Sequence, residues 1–101
     1  MIGAAAMMCD RIEEAIVDRT ETLMEGYELQ VEYCSPDGEK IDVKEFGYHN
    51  PNLLYIYGHD HLGNPVQVLA SSTSVHLVLR SVPKVDDRER RPIGFLGAIA
   101  S

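Results

Sequence analysis

The chain has 101 residues, of which 45% are apolar and 25% charged, and its net charge at pH 7 is −7. This length suits a single domain, and the near-average composition excludes a disordered, collagen-like or coiled-coil chain. The acidic balance disfavours binding to the phosphate backbone of nucleic acids. No apolar run reaches the roughly 20 residues that cross a bilayer, and the basic start of a signal peptide is missing, so we expect a cytoplasmic protein with no membrane association.

The first predicted element is an amphipathic helix from Ala4 to about Met24, a stretch without Gly or Pro in which good helix formers dominate. Its apolar residues, which include Cys9, Ile12 and Ile16, keep to one stripe. Five acidic residues at spacings of 4, 4, 3 and 4 centre about 170° away from that stripe. We call these residues the acidic face: Asp10, Glu14, Asp18, Glu21 and Glu25.

The charge of the chain is unevenly distributed. Residues 1–34 hold eight acidic residues and two Arg, whereas residues 71–101 hold three acidic and five basic residues. Two interpretations of the acidic face remain open. It is either a solvated surface that keeps a small protein soluble or a docking surface for a basic partner protein. In the second case spaced carboxylates imitate phosphate charges, so the protein is an inhibitor that occupies a nucleic-acid-binding site.

After Gly26 the apolar residues follow a period of two, which predicts an antiparallel sheet of about five short strands. A first strand from Tyr27 to Tyr33 and a second from Lys40 to Phe46 flank a turn at Ser35–Gly38. The alternation slips after Val43, which predicts a bulge or a strong bend in the second strand.

Three further strands are predicted after a loop at Gly47–Asn52, with a second turn at His59–Pro65. These strands are Leu53–Tyr57, Val66–Leu69 and Val75–Val82. We expect a single globular α+β domain at residues 1–82 and a C-terminal basic arm at residues 83–101, with an apolar segment that docks on a surface or edge. The apolar segment is Pro92–Leu96, and the basic run consists of Lys84, Arg88, Arg90 and Arg91.

A helix followed by five short strands, the second of them bent, resembles the element order of Sm-like small barrels. In that fold, strands 4 and 5 of neighbouring subunits join to close a ring. The resemblance lies in element order alone, because the Sm sequence signatures are missing. An Sm-like barrel and a plain helix-on-sheet α+β domain therefore both remain open.

Three short motifs stand in the second half of the chain: GYHNPNL at residues 47–53, YGHDHLGNPV at 57–66 and RRPIGF at 90–95. With them the chain resembles a family of small bacterial proteins and domains of unknown function. The resemblance covers roughly residues 46–95, about half of the chain. It implies a recurrent module to which residues 91–95 belong, and it implies no activity.

The string from Gly58 to His61 is the candidate metal site. His59 and His61 on an extended segment present both imidazoles to one side, Asp60 offers an oxygen ligand, and His49 or His76 would supply a third nitrogen. The alternative is a hairpin tip in which Asp60 caps a type I turn. If the chain forms a homo-oligomeric ring, its pore would bind a small, nucleotide-like ligand. The residues expected at that pore are His49, Asn50, Asn52 and His61.

No motif in the chain predicts catalysis. The hydroxyl-rich run Ser71–Ser74 lacks a nucleophile elbow, and there is no phosphate-binding loop. Cys9 and Cys34 lie outside any CxxC spacing, which favours reduced packing thiols. We therefore expect a protein that is not an enzyme and needs no cofactor. Its work is to dock a basic protein or, as the alternatives, to bind or sequester a small ligand as a homo-oligomer or to act through a metal.

Overall fold

The computed structural model describes residues 3–85 and 92–99, which form one helix and six strands. The predicted α+β fold is confirmed, with one strand more than the five expected. No helix in this described part of the chain is long and apolar enough to cross a membrane. The elements are α1 (Ala4–Glu21), β1 (Tyr27–Cys34), β2 (Lys40–His49), β3 (Leu53–His59), β4 (Pro65–Ser71), β5 (Leu77–Pro83) and β6 (Gly94–Ala98).

Helix α1 begins against the loop between β2 and β3. Gly3 stands at the N-cap and offers no side-chain oxygen, so the N–H groups at the start of the helix need other acceptors. The Ala5 N–H donates to the carbonyl oxygen of Pro51 at 2.8 Å, and the Ala6 N–H donates to Oδ1 of Asn50 at 3.3 Å. The loop therefore caps the helix and fixes its start over one end of the sheet.

The strands form one sheet in the order β4-β3-β2-β1-β5, and every neighbouring pair in that order is antiparallel. Both predicted turns are confirmed. In the first, the Gly38 N–H donates to the Ser35 carbonyl at 3.0 Å, and Gly38 has a φ of 90° that favours glycine. In the second, the Gly63 N–H donates to the Asp60 carbonyl at 3.0 Å.

Strand β2 changes its partner along its length. Its first residues pair with the end of β1, whereas its second half pairs in parallel with β6, from Glu45 opposite Gly94 to Tyr48 opposite Ala98. The register against β3 shifts between Val43 and Glu45, so the predicted irregularity of this strand is confirmed. The predicted loop at Gly47–Asn52 is wrong for its first three residues, because β2 continues to His49 and its pairing with β3 and β6 outweighs the local turn preference.

The apolar segment that was expected to dock contributes β6, which adds to the sheet of its own chain. Phe95 stacks on the fully buried ring of Phe46, with ring centroids 5.5 Å apart and an angle of 16° between the planes. Three residues of the expected basic run, namely Arg88, Arg90 and Arg91, lie outside the described residues.

The core lies between α1 and the part of the sheet that β1, β2 and β3 form. The predicted helix stripe is confirmed, since Cys9, Ile12 and Ile16 are buried, and α1 buries Ala5 as well. Alternate residues of the three strands meet this stripe. The hydrophobic side chains that the strands bury in this core are Leu29, Val31, Tyr33, Ile41, Val43, Phe46, Leu54 and Ile56.

Candidate interaction surface

The acidic face is exposed to solvent, opposite the buried stripe of α1. All five of its residues are exposed. Four of them, from Asp10 to Glu21, share the helix, which places a carboxylate about every 5 to 6 Å along roughly 16 Å of the axis. Glu25 follows α1 in the turn before β1, because the helix ends three residues before the expected Met24. The helical spacing therefore holds for four of the five residues.

No Lys or Arg within residues 3–85 and 92–99 forms an ion pair with the acidic face. The two ion pairs found there both lie in the sheet, between Lys44 and Asp42 at 2.9 Å and between Arg80 and Glu32 at 3.4 Å. Arg19 is the basic residue of the last turn of α1, and its Nη2 donates instead to Oγ of Ser81 on β5 at 2.9 Å. Its charge is therefore directed towards the sheet.

An apolar groove of about 610 Å³ runs beside the acidic face. It opens where β1 has left β2, since the ladder between these strands covers only Glu32–Cys34, and β6 takes the later part of the β2 edge. Ile16 and Leu29 form buried parts of the wall, and Val17 and Tyr27 stand at its mouth, 48% and 39% exposed. We call this space the helix groove.

Acidic side chains surround the helix groove as well. Glu13, Glu21 and Glu28 line it, and Lys84 is the one basic side chain among its described lining residues. Glu21 belongs to both the groove and the acidic face, so the two form one continuous surface. The sequence prediction missed the groove. The signal available was Val17, an apolar residue directly beside the main helix stripe, which widens the apolar side of α1 beyond what the sheet covers.

The fold does not bring His49 to the turn that begins at His59. His49 stands opposite Leu53 and His59 opposite Asp42, at the two ends of the β2–β3 ladder. That ladder separates them by about 20 Å. Nδ1 of His49 lies 3.2 Å from the carbonyl oxygen of Ile99. In the described part of the chain, no group of three or more His, Cys, Asp or Glu side chains is arranged to hold a metal ion.

Asp60 is engaged by its own turn. One carboxylate oxygen accepts the N–H groups of Leu62 at 3.0 Å and Asn64 at 2.9 Å, and the other accepts from Nδ2 of Asn64 at 3.4 Å. The hydrogen bond from the Asn64 backbone is the largest influence that lowers the pKa of the Asp60 carboxyl below its ordinary value, helped by the bonds just named and the charge of His61. This arrangement is the hairpin tip that the spacing of Asp60 and Gly63 predicted.

The candidate nucleophiles are also held in local structure. Burial, together with the charges of Asp10 and Glu13, raises the pKa of the Cys9 thiol to about 11. Its Sγ donates to the carbonyl oxygen of Gly47 at 3.7 Å, so Cys9 is a protonated packing residue at neutral pH. The Ser71 hydroxyl is hydrogen-bonded within its own turn, where its Oγ lies 2.9 Å from Oγ1 of Thr73.

Strands β4 and β5 are the two edge strands of the sheet. Along the described ladders β4 pairs only with β3 and β5 pairs only with β1, so each offers one edge without a strand partner. Strand β4 contains no charged residue, and its Leu69 is 59% exposed. Of the residues expected at a ring pore, Asn50 uses its side-chain oxygen to cap α1.

Comparison with known proteins adds no relative. No family model matches the chain, and no curated protein or solved structure matches it with significance. The resemblance to small bacterial domains therefore stays a prediction, and the surfaces described above are the basis for any statement on function.

Proposed function

We propose that this protein is a non-catalytic interaction module that docks a basic partner protein on its acidic face. The supporting observation is that all five carboxylates are exposed, four of them on the side of α1 away from the core, and that none forms an ion pair with any described Lys or Arg. A partner that brings Lys and Arg side chains to this face gains attraction, and steering by opposite charge speeds its association.

Repulsion between the like charges of the acidic face destabilises the isolated helix. Each pair of carboxylates at a spacing of four residues destabilises a helix by a few tenths of a kcal/mol, and Asp10, Glu14 and Asp18 form two such pairs. A basic partner relieves this repulsion, so docking and helix stability support one another.

The partner class that we propose is a protein whose basic surface holds nucleic acid. One strand of duplex DNA carries a charge about every 3.4 Å along its axis. The acidic face, with a carboxylate about every 5 to 6 Å, has more than half of that linear density. We expect a face of this charge density to compete for a row of Lys and Arg side chains, so that the module acts as an inhibitor that occupies the site of the nucleic acid.

Charge reversal tests this proposal. In the ladder variant, Glu14, Asp18 and Glu21 are all changed to Lys. The control variant carries the same change at three exposed acids away from the face: Asp37, Glu39 and Glu45. Both variants gain the same charge, so a difference between them reports position and not net charge.

Wild type and the two variants are each immobilised, and the basic proteins that each one retains are identified. Duplex DNA is then added to test whether it displaces them. Wild type and the control variant should retain the same basic protein and lose it to the duplex, while the ladder variant should not retain it. Circular dichroism checks that the ladder variant keeps its helix. Equal retention by both variants would overturn the proposal.

A second candidate function is a homo-oligomer that binds or sequesters a small ligand. It is favoured by the free edge of β4, because an uncharged edge strand without a partner readily pairs with another chain. Native mass spectrometry tests it by reporting a discrete oligomer and any retained small molecule. The exposed Leu69, changed to Lys, should dissociate that oligomer without unfolding the chain, and a strict monomer at high concentration would exclude this function.

A further inference from the structure

We infer that the helix groove receives apolar side chains of the same basic partner, so that the partner segment is amphipathic and not merely basic. This inference rests on the proposed function and names the chemistry that the partner must carry. The segment brings aliphatic or aromatic side chains to the groove, and it places Lys or Arg side chains on either side of them.

The size and lining of the groove support the apolar anchors. Its volume of about 610 Å³ falls within the roughly 300 to 1,000 Å³ of sites that take drug-sized ligands. Val17 and Tyr27 expose apolar surface at its mouth, while Ile16 and Leu29 behind them are buried. Such a combination of an apolar interior and a partly exposed rim is typical of the pockets that hold anchor residues in protein complexes.

The charge of the lining supports the basic flanks. Glu13 and Glu21 on α1 and Glu28 on β1 stand around the groove, against Lys84 as the described basic residue there. An acidic or neutral apolar segment would leave these carboxylates unpaired in a closing interface, whereas a segment with Lys or Arg pairs them. Glu21 continues directly into the acidic face, so one segment reaches both.

Two designed peptides of equal positive charge test the inference, each labelled with fluorescein and titrated by fluorescence anisotropy. The first is an amphipathic 14-residue peptide of Leu and Lys, and the second replaces every Leu with Ser. We expect the Leu/Lys peptide to bind wild type at least tenfold more tightly than the Ser/Lys peptide. Equal affinities would overturn the inference and leave the proposed function standing.

Two further variants locate the binding. Changing Val17 and Tyr27 to Gln removes the apolar mouth without altering charge, and changing the 73% exposed Leu62 to Gln is the matched control at a distant turn. The groove variant should lose the tenfold preference for the Leu/Lys peptide, and the control should keep it. A preference that survives in the groove variant would place the anchors elsewhere and refute the inference.

The ladder variant separates the two claims. It should weaken both peptides by a similar factor, because it removes charge that both peptides meet, and it should keep part of the preference for Leu. If neither peptide is weakened, the proposed function fails. Nitrogen-15 NMR spectra of the 101-residue chain give the site directly: amide shifts at residues 27–29 and 93–95, which belong to the groove and not to the acidic face, support the inference. Shifts confined to β4 and β5 would indicate association through the sheet edges and contradict it.

Discussion

The contact between Phe46 on β2 and Phe95 on β6 allows a quantitative test of how the C-terminal strand is held. Phe46 is fully buried, and its ring lies 5.5 Å from that of Phe95. Stacked aromatic pairs are worth about 0.5 to 1.5 kcal/mol beyond the area that they bury. Changing each residue to Leu keeps an apolar side chain and removes the ring pair, and we expect each single variant to lose roughly 1 kcal/mol of the free energy of unfolding.

The double variant should lose less than the sum of the two single variants. The difference is the coupling energy, which we expect to be about 0.5 to 1.5 kcal/mol. Urea unfolding followed by far-ultraviolet circular dichroism is the suitable assay, because the chain contains no Trp. A control cycle that pairs Phe46→Leu with Leu62→Ala at the exposed turn should be additive.

The same assay distinguishes docking within one chain from docking on a neighbour. Because β6 pairs with β2 of its own chain, the unfolding midpoint should not change when the protein concentration is raised tenfold. A coupling energy below about 0.3 kcal/mol, which is within the error of additivity, would refute the packing of β6 described here. A midpoint that rises with concentration would show that the segment docks between copies.

Three further outcomes follow from single residues. Gly58→Ala should destabilise the fold by about 2 kcal/mol or more in urea, because the new Cβ would overlap the carbonyl oxygen of Asp42. Ser72→Ala should be neutral or up to about 1 kcal/mol more stable, since its buried Oγ has no hydrogen-bond partner in the described part of the chain. Burial raises the pKa of the Cys9 thiol from 9.0 to about 11, so the folded state favours the protonated thiol. The stability that this preference contributes is fully present below pH 9 and is lost as the pH rises from 9 to 11. Over that interval the free energy of unfolding of wild type should fall by on the order of 2 kcal/mol relative to that of Cys9→Ala. The same dependence of unfolding free energy on pH in both proteins would contradict this.

The parts of the fold that depend on local chemistry could be predicted from the sequence. The alternation of Leu29, Val31 and Tyr33 with polar residues predicted a half-buried strand, and these three residues are buried. Gly38 and Gly63 have the positive φ values that their turns require. Each of these features is decided by a few neighbouring residues, so a single sequence is sufficient to show it.

Features that depend on distant partners escaped prediction. The assignment of Gly47 to a loop followed its turn preference, yet the residue continues β2, and its lack of a Cβ leaves room for the side chain of Ile99. The pairing of β2 with β6 joins residues almost 50 positions apart, and parallel pairing of this kind leaves no local signal. Likewise, Asn50 caps α1 across 44 positions, which its place in an Asn-Pro turn does not reveal.

The acidic face could be recognised from spacing alone, because helical periodicity fixes which residues share a side. Its position beside the helix groove could not be recognised from the sequence. The groove results from the separation of β1 from β2 before Glu32, and its wall combines α1, the start of β1 and the approach to β6. Surfaces built from three separate segments appear only when the chain is folded.

The most direct measurement is the affinity of the captured basic partner for wild type, the ladder variant and the control variant, by calorimetry at about 50 and 300 mM salt. If the acidic face docks the partner, wild type and the control variant should bind alike and lose at least tenfold in affinity between the two salt concentrations. The ladder variant, with Glu14, Asp18 and Glu21 reversed, should bind weakly at both. Equal affinity of the ladder and control variants, with the same response to salt, would contradict docking on this face.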